Sequence, residues 1–284
     1  MAPPSEERAY SPPRGRLGRA RVAVVTVIDE EFDEVRDVLG THNDIGSSPY
    51  FVSEAPDSGD WDVVVSKCTD RTNLPSGEEV GHIIEDLRPQ VLLLVGIAGG
   101  MCDNGRPREN IHLGDVVIAN TVAYVDFLKI DGATMFWRQY PVDHPSVHLG
   151  RTISFPIQKT FRIADAITKQ PPAAHNSRIH IGQIVSAEKV MGGLNNPVQT
   201  ELLKPFDKAL AVDMESIGMA RGVCARRTSF WYNPLYSVIR GISDLVGVEG
   251  NDATRAQWKV YAAHAAAVVT REFIRRLPTT DANA

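Results

Sequence analysis

Apolar residues in this chain come in short β-branched runs that alternate with longer stretches of helical spacing. Residues 21–27, Arg-Val-Ala-Val-Val-Thr-Val, form a near-continuous apolar run, the signature of a buried strand. The run passes directly into Phe32, Val35 and Val38/Leu39, which are spaced as on one helix face, and Gly40 closes that stretch. The same reading predicts strands over 22–27, 62–66, 91–97, 115–125, 179–187, 209–214 and 235–242, each bounded by Gly, Asp or Pro. It predicts helices over 30–39, 77–87, 159–169, 197–205, 215–226 and 253–277. Strand and helix in alternation imply an α/β fold, a single domain with a twisted, mostly parallel (mixed) central sheet flanked by helices. Residues 127–158, with Phe136-Trp137, Tyr140-Pro141 and His144-Pro145, read as a long irregular insertion. Residues 41–60 are polar and rich in Gly, Ser and Pro, and read as a surface connection. Residues 1–20 and 279–284 read as tails around a domain spanning 21–278.

Several strands end where chemistry is possible. The runs around Ala211–Asp213 and Val238–Ser243 are followed by Glu215 and Asp244. Parallel strands would set such residues side by side at the carboxyl edge of the sheet, where open α/β sheets bind ligands. Two carboxylates in different surroundings can do different work, one ionised and one kept protonated. They are equally at home as acids at helix entrances. Asp29, Glu30 and Glu31 open the first helix at the same expected edge, and Val91–Gly100 ends in Gly-Ile-Ala-Gly-Gly, where glycines allow close backbone approach to a ligand.

Composition narrows the field. A chain of 284 residues with 43% hydrophobic content can bury a sizeable core as one large domain. Net charge is −5 and basic residues cluster only at Arg226-Arg227 and Arg275-Arg276, which argues against a nucleic-acid groove. Cys68, Cys102 and Cys224 have no paired spacing and no His at ligand spacing, so they read as reduced thiols of a cytoplasmic protein without a metal centre or other cofactor. No apolar stretch is long enough to span a membrane, and residues 1–20 lack the apolar segment of a signal peptide.

Six segments carry a resemblance: VVTVIDEEFDEVRDVLG (24–40), VLLLVGIAGG (91–100), LGDVVIANTV (113–122), HIGQIVSAEKVMGG (180–193), AVDMESIGMA (211–220) and VIRGISDLVG (238–247). Together with the C-terminal helix, the chain resembles the nucleoside phosphorylase/nucleosidase superfamily. Within it the chain is most similar to the methylthioadenosine/S-adenosylhomocysteine nucleosidases. The VDMES and RGISD motifs are the specific part. The resemblance implies cleavage of a purine N-glycosidic bond, with Asp244 protonating N7, Glu31 orienting water and Glu215 accepting the ribose hydroxyls. It places Met214, Ser243, Ala98, Gly99, Val190 and Met191 at the substrate, Ser243 orienting Asp244. Arg240 either partners the buried acids or helps position the water, and Met214 packs against the sugar or simply fills core.

Phosphorylases of this superfamily carry an Arg after the first strand and an Arg-x-Gly-Ser turn near Ile97. Here Asp29-Glu30-Glu31 and Ile97 stand instead, and three acids would repel a phosphate dianion. The expected nucleophile is therefore water, although the nucleosidases have Ser where this chain has Ile97. The segment 69–73 and the insertion residues Phe136, Trp137, Arg138, Tyr140 and His144 are both candidates to border the 5′ substituent. Arg71 and Arg138 read either as surface arginines or as partners of a 5′-phosphate, which keeps a nucleotide nucleosidase open beside a purine nucleoside phosphorylase and a nucleotide-sensing module. The resemblance also implies a homo-oligomer, a dimer first, with the aromatic insertion at a subunit contact or acting as a lid.

Overall fold

The apolar runs are continuous because their residues alternate between two cores. In β1 (Ala20–Thr26), Val22 and Val24 enter one apolar cluster while Ala23 and Val25 enter another. In β5 (Val91–Gly100), Leu93 and Val95 join the first and Leu92 and Leu94 the second. Such strands are covered on both faces, so they lack the polar alternation of a half-exposed sheet.

The computed structural model describes residues 20–42, 49–53, 61–103, 105–132, 134–138, 144–192, 196–227 and 232–278. The tails expected at 1–20 and 279–284 lie, Ala20 apart, outside the described residues, as does Tyr140. The other strands are β2 (Thr41–His42), β3 (Phe51–Ser53), β4 (Trp61–Lys67), β6 (Cys102–Asp103), β7 (Arg106–Pro107) and β8 (Val116–Tyr124). They continue with β9 (Leu128–Asp131), β10 (Thr134–Trp137), β11 (Ile179–Ser186), β12 (Ala209–Asp213) and β13 (Leu235–Leu245). Helices are α1 (Asp29–Leu39), α2 (Asn73–Leu87), α3 (Val147–Leu149), α4 (Phe155–Thr160), α5 (Pro197–Leu203), α6 (Ser216–Arg226) and α7 (Asn251–Arg275).

The fold is a mixed α/β domain. Its nine-stranded sheet runs β12-β11-β8-β13-β5-β1-β4-β3-β2. Helices α1, α4 and α7 cover one face and α2 and α6 the other. The alanines of α7 let it lie directly on β13: a Cβ on Gly241 would stand 2.0 Å from the carbonyl oxygen of Ala262.

Strand direction corrects one expectation. Strands β1, β4, β5 and β13 are mutually parallel, and so are β8, β11 and β12, but β8 meets β13 antiparallel. Strand β12 also bonds the end of β5 antiparallel, with Ala211 opposite Gly100 and Val212 opposite Gly99. The ring β5-β13-β8-β11-β12 therefore closes on itself. This closure, and not a shared carboxyl edge of parallel neighbours, brings the ends of β12 and β13 together.

Three further expectations change. No helix covers 159–169: α4 ends at Thr160, Phe161 is extended, and only a short 3-10 turn follows at Ile163–Asp165. The insertion 127–158 holds the β9–β10 hairpin and a helical stretch from Val147. The connection 41–60 contributes the edge strands β2 and β3, with Tyr50 and Ser53 buried against the sheet.

Candidate active site

Glu31 is placed by the tight passage from β1 into α1. Its Oε2 accepts from the amides of Val27 (2.9 Å) and Ile28 (3.1 Å), and its Oε1 accepts from the amide of Ile97 at the end of β5 (2.8 Å). The side chain is buried. Burial raises its carboxyl above the ordinary range, opposed by Arg240 and by those three amides.

Asp244 owes its position to a bulge. Along β13, Ile242 faces Ala98 and Asp244 faces Gly99, so Ser243 is an extra residue between them. Bulges of this kind re-aim side chains beside active sites. Ser243 Oγ donates to Asp244 Oδ2 at 2.7 Å. Burial raises the Asp244 carboxyl, with Ser243, Arg255 and Asn251 opposing.

Between these two acids lies a buried charge cluster. The Arg240 Nε donates to Asp213 Oδ2 (2.9 Å), its Nη2 to Glu215 Oε2 (3.1 Å), and its Nη1 stands 3.8 Å from Glu31 Oε1 with no hydrogen-bond partner. Arg240 is completely buried. A cation there is tolerable only because anions surround it, and those anions hold it protonated. Three carboxylates share this one guanidinium. Burial therefore pushes the Glu215 carboxyl up to about 7, with Arg240 opposing and the charges of Asp213 and Glu31 adding. Asp213 does double duty, since its Oδ1 also accepts from the amides of Glu215 (3.3 Å) and Ser216 (3.2 Å) at the entrance of α6.

The far side of Glu215 is held by the turn before α2. Thr72 donates its amide to Glu215 Oε1 (3.2 Å), and Ser76 Oγ donates to the Glu215 carbonyl (3.1 Å). Asn73 locks that turn: its Oδ1 accepts from Ser186 Oγ and from the amide of Gly218, each at 2.9 Å.

These groups open onto a cavity of about 370 Å³. Glu31, Glu215, Asp244, Ser243, Ala98, Gly99, Met214, Val190 and Met191 all line it. Arg240 is not among the lining residues and stands behind the wall, so it touches the site through the acids. Met191 is buried and Val190 exposed. Arg71 lines the cavity, whereas Arg138, Phe136, Trp137 and His144 do not, so the insertion does not border it among the described residues. Asp213, Lys189, Arg255 and Lys259 are not among the site residues the sequence reading names. The spacing Asp213-x-Glu215 before a helix was the available signal for the first, and a buried arginine demanding more than one anion was another.

Among the described residues no cluster of His, Cys, Asp and Glu is placed to hold a metal ion, and no helix is long and apolar enough to cross a membrane. Cys68, Cys102 and Cys224 are unpaired thiols.

A mixed sheet closed around clustered carboxylates defines the class to which the chain compares. Residues 21–275 match the family model of the phosphorylase superfamily, and the chain belongs to that superfamily. It is 24% identical to a 5′-methylthioadenosine/S-adenosylhomocysteine nucleosidase of Lysinibacillus sphaericus, over 88% of this chain and 97% of that protein. It is also 24% identical to the nucleosidase of the same name from Maridesulfovibrio salexigens, over 62% of this chain and 65% of that protein. Among solved structures, the Colwellia psychrerythraea nucleosidase in complex with adenine superposes with a TM-score of 0.69 at 15% identity, covering 91% of this chain and 96% of that one. The Neisseria meningitidis nucleosidase with methylthio-immucillin-A superposes with a TM-score of 0.67 at 19% identity, covering 90% and 99%.

Proposed function

We propose that this protein is a purine nucleoside N-ribohydrolase, an enzyme that cleaves the bond between adenine and ribose with water. Breaking that bond passes through an oxocarbenium-like sugar. Asp244, kept protonated, donates to N7 as the C1′–N9 bond breaks, so that the base leaves neutral. Ser243 orients its carboxyl. Glu31, in ionised form, accepts a proton from the water that attacks C1′, and the products are free adenine and the sugar with a hydroxyl at C1′, its 5′ substituent unchanged. Glu215 accepts the ribose hydroxyls while Met214 packs against the sugar. Arg240 is a positioning residue, fixing Glu215 and Asp213 and holding Glu31 ionised.

The observation that carries this reading is the pairing, on one cavity, of a buried acid with a raised carboxyl pKa and a second carboxylate held on both oxygens by backbone amides. General catalysis works best when acid and base sit near the operating pH, and burial moves both carboxyls toward it. Glu31, whose buried carboxylate lines the cavity at the entrance of α1, would repel a phosphate dianion attacking from that side, which favours water. The names of the similar nucleosidases support the purine base and the 5′ end of the nucleoside as recognition features. The test is a substrate panel of methylthioadenosine, S-adenosylhomocysteine, adenosine, inosine, AMP and ATP, with free base resolved by chromatography. Base should appear without added phosphate. If every substrate stays intact while Asp244→Asn binds adenosine derivatives as well as the wild type does, the protein is a binding module.

A further inference from the structure

We propose that the outer half of the cavity holds a 5′-phosphate, so that the substrates are purine nucleotides, and that Arg71 is the residue that selects them. This rests on the reading of Glu215 as the ribose anchor. The cavity wall is divided by charge. Its floor carries Glu31, Asp213, Glu215 and Asp244, all buried. Its outer wall carries the cations Arg71, Lys189, Arg255 and Lys259 against the acids Glu30 and Asp252. A thioether at the 5′ position gains nothing from such a rim, whereas a phosphate does.

Three of those cations are engaged, Lys259 with Glu30, Arg255 with Asp252, and Lys189 with Asp126. Among the described residues Arg71 has no carboxylate within ion-pair distance. Its neighbour Thr72 supplies an independent observation. With φ 85° and ψ 172°, Thr72 occupies a backbone region that is essentially reserved for glycine. A β-branched residue persists there only when its surroundings over-determine it, and such strain gathers at ligand clamps. Here the surroundings are the bonds from Thr72 and Ser76 to Glu215 and the four-way anchoring of Asn73. The strained turn thus fixes the backbone of Arg71 one residue from the amide that holds the ribose-binding carboxylate, while its exposed side chain lines the mouth of the cavity. A sugar gripped there carries its 5′ carbon on the same ring, and a guanidinium suits bidentate capture of the attached phosphate. The same cavity then admits an anion at its rim while the acids of its floor exclude one as nucleophile.

The experiment compares kcat/KM for AMP, ADP and ATP with that for adenosine and methylthioadenosine, in the wild type, Arg71→Ala and Arg71→Lys. Nucleotides should be preferred by the wild type. Arg71→Ala should lower kcat/KM for nucleotides by about 10–100-fold, the range for losing a hydrogen bond to a charged group, and leave the nucleosides little changed. Arg71→Lys should fall between, since charge stays but the fork is lost. Preference for nucleosides, or an Arg71→Ala effect equal on all substrates, overturns the proposal. Base released from methylthioadenosine but from no nucleotide sinks this inference and spares the nucleosidase reading. If no substrate releases base, the nucleosidase reading fails, and equilibrium binding of AMP and adenosine to the same proteins decides the matter. AMP binding tighter than adenosine, with the advantage lost in Arg71→Ala, supports the phosphate site; equal binding overturns it.

Discussion

Gly96 lies where the two halves of the charge cluster meet, and replacing it with alanine is a direct perturbation of their spacing. A Cβ at that position would stand 2.3 Å from Glu31 Oε1 and 2.4 Å from Arg240 Nη1. Real Cβ atoms do not approach oxygen or nitrogen so closely, so both side chains, or the strand beneath them, have to move. Neither is free to do so cheaply. Glu31 is tied to three amides, and Arg240 is tied to Asp213 and Glu215 in a fully buried site. Overpacking of a well-filled interior costs about 1–3 kcal/mol, and misplacing a catalytic group by about 1 Å costs about 100-fold in rate. Gly96→Ala should therefore lower kcat for adenine release by about 100-fold and lower Tm by several degrees. KM should change less, because Asp244, Ala98 and Met214 are untouched. Gly150→Ala is the control: its φ is helical and the new methyl meets nothing within 4 Å beyond its own turn of chain, so activity and Tm should hold. A Gly96→Ala enzyme with wild-type kcat and Tm would show that the Glu31–Arg240 spacing plays no part in the chemistry.

Other outcomes follow from the same geometry. Asp244→Asn should reduce kcat by about 10²–10⁴-fold with a modest change in KM, and a 7-deaza nucleoside, which offers no N7 to protonate, should resist the wild type; near-normal turnover of either would remove Asp244 from its role. The pH profile of kcat/KM should be bell-shaped. Glu31 and Glu215 work ionised, so activity falls as pH drops through their raised pKa values, near 7 for Glu215; Asp244 works protonated, so activity falls as pH rises through its own. Glu215→Gln should weaken binding and rate together while leaving the alkaline limb in place, and a lost alkaline limb would contradict the assignment. Ile130 and Phe136 stand exposed on the β9–β10 hairpin, Ile130 at 65%, and should be covered by a second copy of the chain; light scattering that finds only a 31.2 kDa particle releasing adenine would argue against the dimer.

The site was legible in the sequence where chemistry and strand ends coincide. Glu31, Glu215 and Asp244 each follow an apolar run, and a run that stops on an acid is visible without a structure. Their convergence was not legible. It depends on β12 turning to bond the end of β5 antiparallel, a pairing between residues more than a hundred positions apart that no local pattern encodes. The helix expected over 159–169 failed for a related reason. Phe161, Ile163 and Ile167 have helix-like spacing and do pack into the core, but from an extended segment and a 3-10 turn. The segment 69–73 was legible as a border of the pocket, but the geometry of its turn was not, because a threonine gives no sign that its backbone is held at positive φ.

The central claim is that water, and not phosphate, attacks the sugar. Its most direct measurement is the identity of the sugar product when adenine is released in phosphate buffer, resolved by mass spectrometry. The account predicts a free reducing sugar, unphosphorylated at C1, in amounts equal to the adenine. A sugar 1-phosphate as the main product, with base release that stops when phosphate is withdrawn, would contradict it.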